Sequence, residues 1–162
     1  MSPVFNRRAS FCRPRGLHRA ADYDAEVISP FHPDVDNPLE DWLARVPDPG
    51  KKTVVELGCG TGPLVPSIGR FRRALAFDFS AAMLEAACRR PGAPHVDFLR
   101  ADLRALPLGA ASVDLAVAVN SILLPSESAL AAVFAEIRRI LRPGGALIGI
   151  FPAMDALHYY GH

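Results

Sequence analysis

Thr53-Val54-Val55-Glu56-Leu57-Gly58-Cys59-Gly60-Thr61-Gly62 sets a short, mostly apolar run directly against three glycines at alternate positions. The run from Thr53 to Leu57 is continuous rather than alternating in hydrophobicity, which reads as a strand buried on both faces. Glycines after such a strand permit the positive φ of a tight strand-to-helix turn and let a ligand approach the backbone. A glycine turn that only lets a helix reverse over a sheet looks the same, so this stretch alone leaves both readings open. Counted from Gly58, the third glycine of a G-x-G-x-x-G dinucleotide loop is replaced by Pro63, and no G-x-x-x-x-G-K-[ST] loop is present. Pro63 and Pro66 also withhold two amide donors from the helix that follows. The loop therefore suits a nucleoside without phosphates better than a phosphate group.

Outward from this stretch, 74–77, 96–99, 113–119 and 146–151 read as further buried strands, separated by helical or loop segments. One helix follows Ser80, with Met83, Leu84 and Ala87 inward. Another is expected over 127–141, capped by Ser126, with Leu130, Val133, Phe134, Ile137, Ile140 and Leu141 forming its apolar face. Arg138, Arg139 and Arg142 suit its carboxyl end, and Pro143-Gly144-Gly145 should stop it. The segment from Arg100 to Ala111 reads as a loop. Upstream, Asn37, Pro38 and Glu40 predict a short helix over 38–45 that buries Trp42 and Leu43. Strands alternating with helices imply an α/β, doubly wound, mostly parallel sheet, whose ligands sit beyond the carboxyl ends of the strands.

The 162 residues are 50% hydrophobic and 22% charged, with a net charge of +1, as expected of one globular domain with no general pull toward nucleic acid or anionic membrane. Cys12, Cys59 and Cys88 are odd in number and lack C-x-x-C spacing, which fits a reducing, cytoplasmic setting without a disulfide framework or zinc ribbon. Apolar runs are interrupted too early for a membrane-spanning helix. Arg7, Arg8, Arg13, Arg15 and Arg19 precede the first acidic residue, Asp22. Residues 1–21 thus read as a basic, solvated leader, with an organellar transit peptide as the alternative, and residues 22–162 as the folded domain.

Two carboxylates stand where strands end. Asp78 follows the second strand, where it can accept from both hydroxyls of a ribose, although an Asp there can also cap the next helix. Asp102 follows the third, where it can accept from an exocyclic amine beside the apolar Leu103.

The ordered set from Tyr23 to Pro152 resembles the class I S-adenosylmethionine-dependent methyltransferases, in particular the type 11 methyltransferase domain. Residues 54–62 look like the family's first motif, 76–84 its second, 101–103 its third, 113–115 the start of its fourth strand and 141–145 the turn before its fifth. The resemblance implies a Rossmann-like strand order 3-2-1-4-5 and S-adenosyl-L-methionine as cofactor. By the same resemblance, Gly58, Cys59 and Gly60 would hold the methionine portion, with Glu56 near its amino group, and Asp78 would bind the ribose. Phe79 and Met83 would flank the adenine, Asp102 and Leu103 would address its edge, Asn120 would face the sulfonium and acceptor, and Tyr23 would close over the cofactor.

Family members usually continue with another helix and two more strands, whereas this chain stops at His162. The expectation is a form lacking those last two strands, with an apolar fifth strand open to self-association or to a partner chain. The implied activity is methyl transfer to a small-molecule acceptor by direct displacement; the alternative is a non-catalytic cofactor-binding subunit. A nicotinamide oxidoreductase is disfavoured by Pro63. No catalytic residue is assigned: His32, His95 and His158 are candidates for a general base by residue type only. His158 and His162 stand four apart, but with Gly161 between them and no carboxylate or thiolate nearby they give no metal site. Cys59 reads as a small loop residue rather than an activated thiolate.

Overall fold

A computed structural model describes residues 30, 31, 35, 37–124 and 126–151. Tyr23, His32, His158, His162, Cys12 and the leader lie outside them. The first strand, β1 (Thr53–Leu57), is buried at every position, the polar Thr53 and Glu56 included, as expected of a central strand covered on both faces. It is followed by β2 (Arg73–Asp78), β3 (Val96–Arg100), β4 (Val113–Val119) and β5 (Leu141–Ile150). All four pairings are parallel and the order is β3-β2-β1-β4-β5, as expected. The chain moves outward from β1 through β2 to β3 and then crosses back to β4, so the switch point lies between β1 and β4.

Helices α1 (Leu39–Ala44), α2 (Val65–Ile68), α3 (Ala81–Ala87) and α4 (Glu127–Ile140) cover the two faces. On one face, Val54 packs in a cluster with Leu39, Leu43, Ile68 and Leu84 from the first three helices. On the other, Val55 and Leu57 join Val133, Ile137 and Ile140 of α4. The loop between β3 and β4 is latched to α4: Glu136 Oε1 accepts from Leu106 N at 2.6 Å, and Arg139 Nη1 donates to Leu108 O at 2.8 Å. Among the described residues no helix is long and apolar enough to cross a membrane.

Several local expectations are corrected. Trp42 is 47% exposed, because the short α1 buries only its Leu39–Leu43 row. On α4 the buried row is Val133, Ile137 and Ile140, while Leu130 and Phe134 are exposed. In β3 burial alternates, with Val96 and Phe98 inside, and β5 has no fully buried residue. Both lie at the edges of the sheet among the described residues, where an apolar run does not entail burial on two faces. Finally, β5 begins at Leu141, directly after α4, and Pro143-Gly144-Gly145 lies within it as an irregularity: Val113 pairs with Leu141, but Leu115 pairs with Ala146. Gly144 takes φ +78 there.

That bulge lies beside a brace at the amino-terminal end of the sheet. Arg142 Nη1 donates to Asp114 Oδ1 and Oδ2 at 2.7 and 2.8 Å, and Thr53 N donates to Asp114 Oδ2 at 2.7 Å. Partial burial raises the Asp114 pKa, but the Thr53 amide and the Arg142 guanidinium outweigh it and hold the carboxyl below its usual range. Removing the carboxylate leaves the buried Thr53 amide without its acceptor. Asp114→Ala should therefore cost about 1–3 kcal/mol in urea unfolding at neutral pH. Because a depressed carboxylate stabilises only while ionised, the cost should shrink as the pH falls below about 4.

Candidate functional site

Beyond the carboxyl ends of β1, β2 and β4 lies a cavity of about 850 Å³, bordered by Glu56, Gly60, Asp78, Met83, Asn120 and Leu123 among others. The glycine loop forms its floor, and the alternate glycines have three different reasons to be there. Gly58 (φ +72) approaches the chain after β4 so closely that a Cβ would lie 2.4 Å from Ser121 Cβ. Gly62 (φ +78) packs on α3, where a Cβ would meet Ala87 Cβ at 2.7 Å. At Gly60 (φ +53) a Cβ would meet no protein atom within 4 Å. Of the three, only Gly60 leaves open space that a bound molecule could use.

Asp78 closes β2 and is 7% exposed. Its Oδ2 accepts from Gly60 N at 2.9 Å and its Oδ1 from Ser80 N at 2.8 Å, so the carboxylate ties the glycine loop to the start of α3. Ser80 caps that helix itself, its Oγ accepting from Met83 N. Each Asp78 oxygen keeps a second acceptor site. Glu56, 3% exposed at the end of β1, has no hydrogen-bond partner for Oε2. Burial, and then the neighbouring charge of Asp78, push its pKa up to about 8. An unpaired buried acid beside a buried carboxylate suits a ligand that brings a cationic group and hydroxyls.

The other expected residues, Tyr23 outside the described residues excepted, line the same cavity. Cys59 is buried, and its thiol pKa is raised by that burial and by Glu56 and Asp78, which leaves it a small loop residue. Met83 and Leu103 are half-buried in the lining, and Phe79 is 78% exposed on the lip. Asn120 takes φ +49 after β4, a conformation asparagine tolerates, and its N–H donates to Ile150 O at 2.9 Å. Asp102 lines the cavity with its carboxylate held by Arg104: Nε lies 3.0 Å from each oxygen, and Arg104 N donates to Oδ1 at 2.9 Å. These bonds to the Arg104 side chain and backbone hold the Asp102 carboxyl well below its ordinary value.

Ser121 and Arg104 are not legible as site residues in the sequence. Ser121 Oγ donates to Leu57 O, a contact across 64 positions that no local pattern signals. His95 lies on a single turn before β3, at the end of the sheet away from the cavity. No described residue lining the cavity is His, Lys or Tyr, and among the described residues no His, Cys, Asp and Glu cluster could hold a metal.

The family model described as methyltransferase domain matches residues 54–145. The chain belongs to the class I S-adenosylmethionine-dependent methyltransferases. This methyltransferase domain is similar to trans-aconitate 2-methyltransferase of Azoarcus sp. (strain BH72), with 43% identity over 112 residues, 66% of this chain and 42% of that protein. It is also similar to malonyl-[acyl-carrier protein] O-methyltransferase of Enterobacter lignolyticus (strain SCF1), with 38% identity over 120 residues, 71% of this chain and 45% of that protein. Among solved structures, a complex of DhpI with SAM and HEP aligns with a TM-score of 0.64 and 25% identity, covering 87% of this chain and 65% of that one. The chain spans about half the length of the curated relatives it matches. The cofactor of the family is S-adenosylmethionine.

Glu56 makes the stability of the methyltransferase domain depend on pH. The folded chain keeps the Glu56 proton to about pH 8, whereas the ordinary value is 4.5, so stability present at low pH is lost as the pH rises through this window. The slope is about 1.4 kcal/mol per pH unit. Relative to pH 4.5, wild type should lose about 3 kcal/mol against Glu56→Gln by pH 7. Urea unfolding of both proteins at the two pH values checks this.

Proposed function

We propose that this methyltransferase domain binds S-adenosylmethionine in the cavity and directs its methyl group to a small-molecule acceptor by direct displacement. The observation that carries the reading is Glu56 Oε2, a buried oxygen without a partner at the cavity floor. When bound, the cofactor supplies an activated methyl group on a sulfonium, together with an ammonium group that a Glu56 carboxylate would pair with.

The assignment of the remaining residues follows the lining. Asp78 accepts the ribose hydroxyls on the acceptor sites that Gly60 and Ser80 leave free. Gly58, Cys59 and Gly60 form the surface under the methionine portion, and only Gly60 must stay bare for it to approach. Phe79 and Met83 flank the adenine, and Leu103 contacts its edge. For Asp102 to receive the adenine amine, Arg104 must swing aside, a small cost for an exposed pair. Asn120 faces the sulfonium and the acceptor, and Tyr23 is assigned as the closing aromatic. The contribution of the chain to the reaction is alignment of the reacting groups and exclusion of water.

Gly60→Asn tests this reading, because asparagine tolerates positive φ while its side chain would occupy the ligand's space. S-adenosylhomocysteine affinity should fall at least a hundredfold with an unchanged circular-dichroism spectrum. In contrast, Gly58→Ala should lower stability by about 2–4 kcal/mol, since its Cβ collides with Ser121 and takes up a left-handed conformation. Calorimetric titration and urea unfolding separate the two. Unchanged affinity in Gly60→Asn would show that the loop is a structural turn only.

A further inference from the structure

Helix α4 carries a second pattern beside the row that packs on the sheet. Glu127, Leu130, Ala131, Phe134, Ala135 and Arg138 recur at steps of three and four or their sums, which places them along one side of the helix. All six are exposed, Leu130 at 36% and Phe134 at 42%. None of them lines the cavity, to which α4 contributes Ala129 and Val133. A single exposed Leu or Phe needs no explanation. Here the two share one strip, with alanine methyl groups beside them, an acid at one end and a base at the other.

The two charges of the strip are uncommitted. Neither Glu127 nor Arg138 forms an ion pair among the described residues, and along the axis they lie about 16 Å apart, too far to pair with each other. The next residue, Arg139, is by contrast engaged by Glu136 and by Leu108 O.

The order of the strip complements itself when read in reverse. In a second copy lying antiparallel, turned about the point between Ala132 and Val133, Arg138 comes level with Glu127 of the first copy, and Glu127 with its Arg138. Leu130 of each copy then meets Phe134 of the other, and Ala131 meets Ala135, small enough to let the helices approach closely. A parallel copy sets Glu127 against Glu127 and Arg138 against Arg138, and like charges repel. The charges therefore select the antiparallel arrangement and fix its register, and the same patch serves on both chains, as two-fold contacts require.

We infer that this face of α4 is a homodimer contact, in which two copies pack α4 antiparallel on α4 and bury Leu130 and Phe134 between reciprocal Glu127 and Arg138 pairs. The contact is independent of the cofactor reading, because it shares no residue with the cavity lining. One helix face buries less area than a standard interface, so the dimer should be weak, with Kd of about 1–100 µM.

The test is sedimentation velocity of the 162-residue chain across that concentration range, with circular dichroism and urea unfolding to verify that each variant is folded. The wild-type chain should pass from monomer to dimer. Phe134→Gln should weaken dimerisation at least tenfold. Glu127→Arg and Arg138→Glu should each do the same alone, since each creates like-charge pairs at both ends of the contact. An equimolar mixture of these two charge variants should dimerise again, because both pairs of the mixed dimer are then of opposite sign. A wild-type chain that stays monomeric throughout overturns the inference, as does a mixture of folded charge variants that stays monomeric. Association that all three substitutions leave unchanged also overturns it, and points to another surface such as the edge of β5.

Discussion

The carboxylate of Asp78 is the group on which the rest of the site depends. It is almost fully buried at the end of β2, and it accepts from the amide of Gly60 in one direction and that of Ser80 in the other. Each such charge-assisted bond contributes about 1.5–3 kcal/mol, enough to hold the glycine loop in its left-handed turns and to start α3 where it does. The same charge lies beside Glu56 and, together with burial, makes ionisation of that residue unfavourable. The group that builds the turn thereby adds to the burial that keeps Glu56 an acid, which a cationic ligand would relieve. Replacing Asp78 by Ala would loosen the turn and lessen the shift of Glu56 at once, which makes it a poor residue for separating structure from binding.

The surrounding contacts keep this arrangement in register. At the carboxyl end of the sheet, Ser121 joins the chain after β4 to the last carbonyl of β1, and the absence of a side chain at Gly58 makes room for it. At the amino end, Asp114 joins β4 to the first amide of β1 and to Arg142. The central strands are therefore fixed at both ends, and the residues between and beyond them can carry side chains that the core does not need. In the loops at the cavity, Asn120 and the three loop glycines take positive φ.

Much of the frame was legible in the sequence. The limits of β1 and β4 follow from mostly apolar runs ended by Gly58 and Asn120, and the strand order follows from the alternation of elements and the resemblance carried by the motifs. Asp78 was legible from its place after the second strand. What could not be read depends on which neighbour a residue meets. The exposure of Trp42, Leu130 and Phe134 is set by how narrow a row of each helix touches the sheet, and β3 and β5 lose burial because they are edges. The role of Pro143-Gly144-Gly145 as a bulge rather than a stop depends on pairing with β4. Gly58 and Gly60 are equivalent in the sequence, and only the position of Ser121 separates them. The engagement of Asp102 by Arg104, two residues on, is local, but either residue alone reads as a solvated loop side chain.

The central claim is that Glu56 is a buried, protonated acid that ionises when the cofactor's ammonium arrives. Calorimetric titration with S-adenosylhomocysteine at pH 7, in two buffers of different ionisation enthalpy, counts the protons exchanged on binding. With the Glu56 pKa near 8, release of about one proton per ligand is predicted for the wild-type chain, and its loss in Glu56→Gln. Binding that exchanges no proton, or release that persists unchanged in Glu56→Gln, would contradict the account.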